Sequence, residues 1–165
     1  MDSNSQNEKL PLVQAARQGQ RDTIESLLSQ GAAINERDKD GKTALTHAAF
    51  NGRIETVKLL LKNDAAINLK DHYGGTPLFW AVCGAYFDIV KLLTDHGADI
   101  SAQDNQGRSP FMRAASGVSR PAHIDIMKLF LDLGTDDVNQ ADNHGVTALM
   151  TAAGGGYVEI TKMLM

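Results

Sequence analysis

The sequence predicts an all-α solenoid of stacked helix-turn-helix units joined by hairpin-like loops, and three observations carry that expectation. A phrase of the form Asp-x-x-Gly-x-Thr/Ser recurs at Asp38 to Leu45, Asp71 to Leu78, Asp104 to Phe111 and Asp142 to Leu149. Its period is regular: 33 residues separate Thr43 from Thr76 and Thr76 from Ser109, and 38 separate Ser109 from Thr147. A fixed period in this range marks supersecondary units stacked side by side. After each phrase come two stretches with helical apolar spacing, divided by a short polar or glycine break.

The copy at 38–70 is the most regular and explains the others. Asp-x-x-Gly is a turn signal, because the carboxylate can accept from backbone amides ahead of it and Gly41 can take a positive φ. Thr43 is placed to cap a short helix bearing Ala44, Leu45, Ala48 and Ala49. Small side chains let this helix lie close to its counterparts, so the first helices should form the tighter, concave side of a curved stack. Asn51-Gly52 breaks that helix, and Ile54, Val57, Leu59, Leu60 and Leu61 supply the apolar face of a second, antiparallel one.

The plan repeats in 71–103, in 104–141 with an insertion, and in a truncated copy at 142–165. Gly97 and Gly134 stand where left-handed C-caps are expected. Residues 10–37 read as a degenerate first copy whose opening turn is replaced by polar residues, as a capping repeat with one wet face requires. Residues 1–9 read as a frayed lead-in. Extra residues around Ser116 to Ala122 predict a protruding loop from Ser116 to Arg120, since Pro121 fits the start of a second helix better than the continuation of a first.

The pattern Asp71-x-x-Gly74-x-Thr76-Pro77-Leu78-x-x-Ala81, followed by Ile89-Val90-x-Leu92-Leu93 and Gly97-Ala98-Asp99-Ile100, resembles the ankyrin repeat in both period and unit. The resemblance extends from about Leu10 to Met165, and it implies an ankyrin-repeat solenoid of about five repeats in one domain, 10–165. It departs from the family pattern where Asp64 replaces a usual glycine, where Ala85 replaces the glycine between helices, and at the insertion.

Composition narrows the functional classes. The formal charge of −4 and scattered basic residues give no electrostatic footprint for nucleic acid. A single cysteine, Cys83, excludes an internal disulfide framework and suits a reducing compartment. Residues 1–9 lack the apolar run of a secretory signal, and the longest uncharged stretch, Leu78 to Phe87, is short of the roughly 20 residues that cross a bilayer. The expectation is a soluble cytoplasmic chain, the nucleus left open, with no membrane or nucleic-acid partner.

Catalytic constellations are weak throughout. His47, His72, His96, His123 and His144 fall at four different offsets of the repeat, and a metal site needs three or four converging ligands. Gly154-Gly155-Gly156 has no preceding strand and no following Lys-Ser/Thr, and it aligns with the ordinary break between helices. Neither a Gly-x-Ser-x-Gly elbow nor a triad pattern appears. No enzyme, metal or cofactor is expected.

What remains is a surface. In the ankyrin-like arrangement the turn tips and exposed first-helix edges are expected to be free of structural duty, and here they carry Lys39, Asp40, Lys42, Phe50 and Asn51; His72, Tyr73, Trp80 and Cys83; Asn105, Gln106, Arg108, Arg113 and Ser116; Asn143, His144 and Val146. Aromatic, amide and Arg groups in this mixture suit protein recognition better than a small-molecule pocket. Tyr73 reads as the anchor, while Trp80 is divided between contact and inter-repeat packing. The resemblance implies a non-catalytic module that binds an unidentified protein or peptide through the concave groove. The rival is an accessory arm of a larger enzyme, channel or effector. It is motivated by the last copy, where Ile160 and Leu164 would lack a following repeat. That reading expects a continuing chain or a covered end, with end-to-end contact open in an otherwise monomeric protein; the alternative is an end that frays with its apolar residues tucked inward.

Overall fold

The computed structural model describes residues 10–116, 121–134 and 136–165, and these form ten α-helices with no strand among them. They are α1 (Pro11–Gln18), α2 (Arg21–Ser29), α3 (Ala44–Phe50), α4 (Ile54–Lys62), α5 (Pro77–Cys83), α6 (Phe87–Asp95), α7 (Pro110–Ala115), α8 (Pro121–Asp132), α9 (Ala148–Gly154) and α10 (Val158–Met163). Each odd-numbered helix pairs with the even-numbered one after it. The inner rank α1, α3, α5, α7 and α9 packs neighbour to neighbour, more extensively in most steps than the even-numbered rank does. Buried alanines make that approach possible: Ala15, Ala16, Ala48, Ala49, Ala81, Ala114, Ala115 and Ala152 all lie on this rank.

Each repeat begins as the sequence expects. Thr43, Thr76, Ser109 and Thr147 have extended backbone, and their hydroxyl oxygens accept from the amides of Thr46, Phe79, Met112 and Met150. Such a cap contributes about 1 kcal/mol. The core runs between the ranks and includes Leu12, Ile24, Leu45, Leu60, Leu78, Leu93, Phe111, Ile126 and Phe130, each exposed by 1% or less. Pro121 opens α8 as expected. The predicted bulge at Ser116 to Arg120 falls, beyond Ser116 itself, outside the described residues.

Successive repeats are stitched by backbone as well as by side chains. The His72 amide donates to the Asp40 carbonyl (2.9 Å), Asn105 to Tyr73 (3.0 Å) and Asn143 to Gln106 (3.0 Å), one rung at each junction of turn tips. Gly74 shows what this closeness demands: its φ is +79°, and a Cβ there would stand 2.6 Å from the Asn105 amide nitrogen. A second row of ties comes from Asn35 and Asn68, whose Oδ1 atoms accept from Ala66 and Asp99 one repeat ahead (2.9 Å each). A third comes from Arg37 and Lys70, which donate to the carbonyls of Lys70 and Gln103 (2.8 Å each).

At the last copy the structure departs from the uncovered end and agrees with the inward-tucked alternative. Ile160 and Leu164 are not left uncovered: both are buried, at 3% and 8% exposure, because α10 turns them inward against the core. The apolar side chains that do face out there are Met150, Val158 and Met165.

The two departures from glycine are both left-handed, Asp64 at φ +61° and Ala85 at φ +58°. Aspartate tolerates this region moderately, whereas alanine pays about 1–2 kcal/mol for its Cβ. Ala85→Gly should therefore raise stability by about 0.5–1 kcal/mol after the extra flexibility of the unfolded chain is subtracted, as urea denaturation would show. Leu60→Ala and Leu93→Ala empty fully buried positions and should each cost about 2–5 kcal/mol by the same measurement; a neutral result would contradict the packing described.

Candidate functional site

The turn that opens each of the last four repeats is built around one carboxylate. Asp71 Oδ1 accepts from the amides of Tyr73 and Gly75 (2.9 Å each), and Asp38, Asp104 and Asp142 repeat the arrangement with the residues two and four positions on. At Asp38, burial works to raise the carboxyl pKa. The His47 bond together with the Lys42 and Asp40 amides outweighs it and holds the group below the ordinary range. Asp142 is also held low, first by the Val146 amide and then by that of His144.

The second carboxylate oxygen is spent differently in each copy. Asp38 Oδ2 meets His47 Nε2 at 2.7 Å, Asp71 Oδ2 accepts from the Trp80 indole at 2.8 Å, and Asp104 Oδ2 accepts from Arg108 Nε (2.9 Å) and a terminal guanidinium nitrogen (2.6 Å). The chain has one tryptophan, and this bond fixes its ring. Trp80 lies over Gly75, where a Cβ would stand 2.5 Å from the indole nitrogen. The equivalent positions in the other copies are Lys42, Arg108 and Val146, so only the third copy leaves this space open.

Around that ring the structure gathers four of the residues singled out from the sequence. The Lys42 ammonium lies 4.5 Å from the Trp80 ring centre, 5.5 Å from Phe50 and 5.6 Å from Tyr73. Phe50 meets Trp80 edge to face at 5.4 Å, and Phe79 does the same from the other side at 5.6 Å. The Arg108 guanidinium then stands 5.9 Å from Phe79. Cation–ring contacts at exposed sites contribute about 0.5–1 kcal/mol each, and aromatic pairs a similar amount. The cluster is nevertheless open: Tyr73 is 57% exposed and Phe50 43%.

Beside it lies a cleft of about 170 Å³ lined by Tyr73, Gly75, Phe79, Trp80, Asp104, Asn105, Gln106 and Arg108. A larger hollow of about 360 Å³ sits at the breaks between helices, against Gly52, Ile54 and Ala85 to Ile89. It holds one carboxylate, Asp88, and none of the predicted surface residues.

Several of those residues have structural duties that sequence alone did not disclose, which corrects the expectation that the turn-tip positions are free of them. Asn51 Nδ2 donates to the His47 carbonyl at the end of α3 (2.8 Å), and the Asn105 and Asn143 amides donate to the His72 (2.8 Å) and Asn105 (3.1 Å) carbonyls of the preceding tips. Arg113 donates to Cys83 Sγ (3.1 Å) and Ser116 Oγ (3.3 Å). Burial raises the Cys83 thiol pKa, with Arg113 opposing it, so this thiol stays protonated. Lys39, His72, Gln106 and His144 are exposed at the tips, Asp40 and Val146 half-buried there. Phe79 was noted in the sequence only as the neighbour of Trp80, and Gly75 and the aspartates that open the turns were missing from the predicted site, although the double glycine in the third copy's opening turn was a visible signal.

Among the described residues no His, Cys, Asp and Glu side chains converge as metal ligands, and no helix is long and apolar enough to cross a membrane. The architecture is thus a solenoid of stacked helical pairs with an elaborated row of turn tips. The family model described as "Ankyrin repeats (3 copies)" matches residues 12–104 and 101–165, and the chain belongs to the ankyrin-repeat family. Ankyrin repeats are generally protein–protein interaction modules and typically non-catalytic. Among curated proteins no significant match to this chain is found.

The Gly75–Trp80 contact generates a prediction. Gly75→Ala should push the indole off Asp71, costing about 1 kcal/mol for the lost hydrogen bond and shifting the emission of the single tryptophan to longer wavelength. Unchanged fluorescence with unchanged stability would contradict the geometry described.

Proposed function

We propose that the chain is a non-catalytic interaction module that binds a partner protein or peptide through the face made by its turn tips and first helices. The observation that supports this most is the open aromatic cluster of Phe50, Tyr73 and Trp80 around Lys42. Interface anchors are typically aromatic or Arg side chains held rigid before binding, since ordering them during binding costs affinity. Here the rigidity comes from stacked turns, each closed by a carboxylate and tied to the next by backbone. Opposite, α4 and α6 show solvent lysines paired with their own helix's acids, Lys58 with Glu55 and Lys91 with Asp95, which are exposed pairs of little energetic weight. A reducing, cytoplasmic setting suits the one protonated thiol.

The test is comparative capture from native lysate with quantitative mass spectrometry. Tyr73→Ala combined with Arg108→Ala should reduce the captured partner about tenfold or more while the helical circular dichroism is retained. Lys58→Glu with Lys91→Glu should leave capture unchanged. The reverse pattern would move binding to the other face of the stack.

A further inference from the structure

We infer that Asp71 is a positioning residue for recognition: beyond closing its turn, its one buried carboxylate holds both Tyr73 and Trp80 and so fixes two walls of the cleft before a partner arrives. This rests on the interaction-module reading above and names the residue that keeps that face ready.

The Asp71 side chain lies in a residue only 6% exposed, and its two oxygens have separate tasks. Oδ1 accepts from the Tyr73 and Gly75 amides at 2.9 Å each, whereas Oδ2 accepts from the Trp80 indole at 2.8 Å. All three donors line the cleft of about 170 Å³. On its other side Asp104 accepts from the Gln106 and Arg108 amides and from the Arg108 guanidinium, so five of the eight lining residues are held by two carboxylates. The shape of the cleft is therefore set by the turns beneath it.

The fifth copy separates turn closure from ring positioning. Asp142 Oδ1 accepts from the His144 and Val146 amides at 2.8 and 3.0 Å, yet among the described residues no side chain donates to its second oxygen. The turn closes without that second bond. What the bond changes in the third copy is the ring: it selects one orientation of the indole, against which Phe50 and Phe79 then stand edge to face at 5.4 and 5.6 Å. An indole free to turn would have to be ordered as a partner bound, and that ordering lowers affinity.

The experiment exploits the single tryptophan of the chain. Asp71→Asn keeps an oxygen for the Tyr73 and Gly75 amides but turns a donor nitrogen towards the indole N–H, which preserves the turn and releases the ring. Replacing Trp80 with benzothienylalanine, the sulfur isostere of tryptophan, removes the N–H and leaves Asp71 and its charge untouched. The probes are peptides selected on the intact chain from a random display library and made synthetically. The expected result is that Asp71→Asn costs no more stability in urea than Asp142→Asn, speeds the local anisotropy decay of Trp80, and weakens the peptides about three- to tenfold. The benzothienyl chain should show the same weakening, and adding Asp71→Asn to it should cause no further loss. If Asp71→Asn unfolds the chain, the benzothienyl affinity decides in the same two directions. Wild-type affinity without the bond, while Trp80→Ala still abolishes binding, would overturn the positioning role and leave the interaction face standing. Peptides indifferent to Trp80→Ala and Tyr73→Ala, or no enrichment of any peptide, would overturn the face itself.

Discussion

Each of the last four repeats is organised by a single carboxylate that two backbone amides hold in place, and the remainder of the unit is arranged around it. With Oδ1 of Asp38, Asp71, Asp104 or Asp142 accepting from the amides two and four residues ahead, the turn has one geometry and its glycine is forced to positive φ. The hydroxyl cap follows directly, so the direction of the first helix is fixed by the same turn. Since a buried or half-buried carboxylate must be satisfied, the motif resists substitution on energetic grounds at every copy. The freedom left to the sequence lies in what the second oxygen meets, and there the copies diverge: imidazole, indole, guanidinium.

That division of labour explains how a repetitive scaffold acquires a local identity. Gly75 is the smallest side chain possible at a position where neighbouring copies carry long ones, and the room it leaves is occupied by the indole of Trp80. Lys42 from the preceding copy then stands over the Trp80 ring, and Arg108 from the following one stands over the ring of its neighbour Phe79. A periodic framework therefore yields a non-periodic surface through one omission and one large ring.

How much of this was legible in the sequence depended on range. Turn, cap and apolar face are decided within a dozen residues, so Thr43, Gly41 and Leu60 could be read from local spacing, and the left-handed Asp64 and Ala85 were visible as departures from the family pattern. The ladder side chains were not. Asn105 and Asn143 look like solvent-exposed turn residues until the stack brings a carbonyl of the preceding tip within reach, more than thirty residues away in sequence. The Lys42–Trp80 contact was hidden for the same reason: each residue was picked out individually, but only the lateral offset between repeats makes them neighbours. Ile160 and Leu164 were left between an uncovered and an inward-tucked reading because the periodicity showed that they were apolar and not that the last copy leans them onto the core.

The surface around Trp80 belongs to no single repeat. Its lysine comes from the second copy, its rings from the second and third, and its arginines from the fourth, so it exists only while three consecutive copies are in register. In a quasi-one-dimensional stack each copy packs only against its neighbours, so these three hold the cluster through two junctions. The face proposed for binding therefore depends on the two junctions that join these three copies. Opening either junction would scatter the cation and the rings together, so the cluster is lost in one step rather than residue by residue.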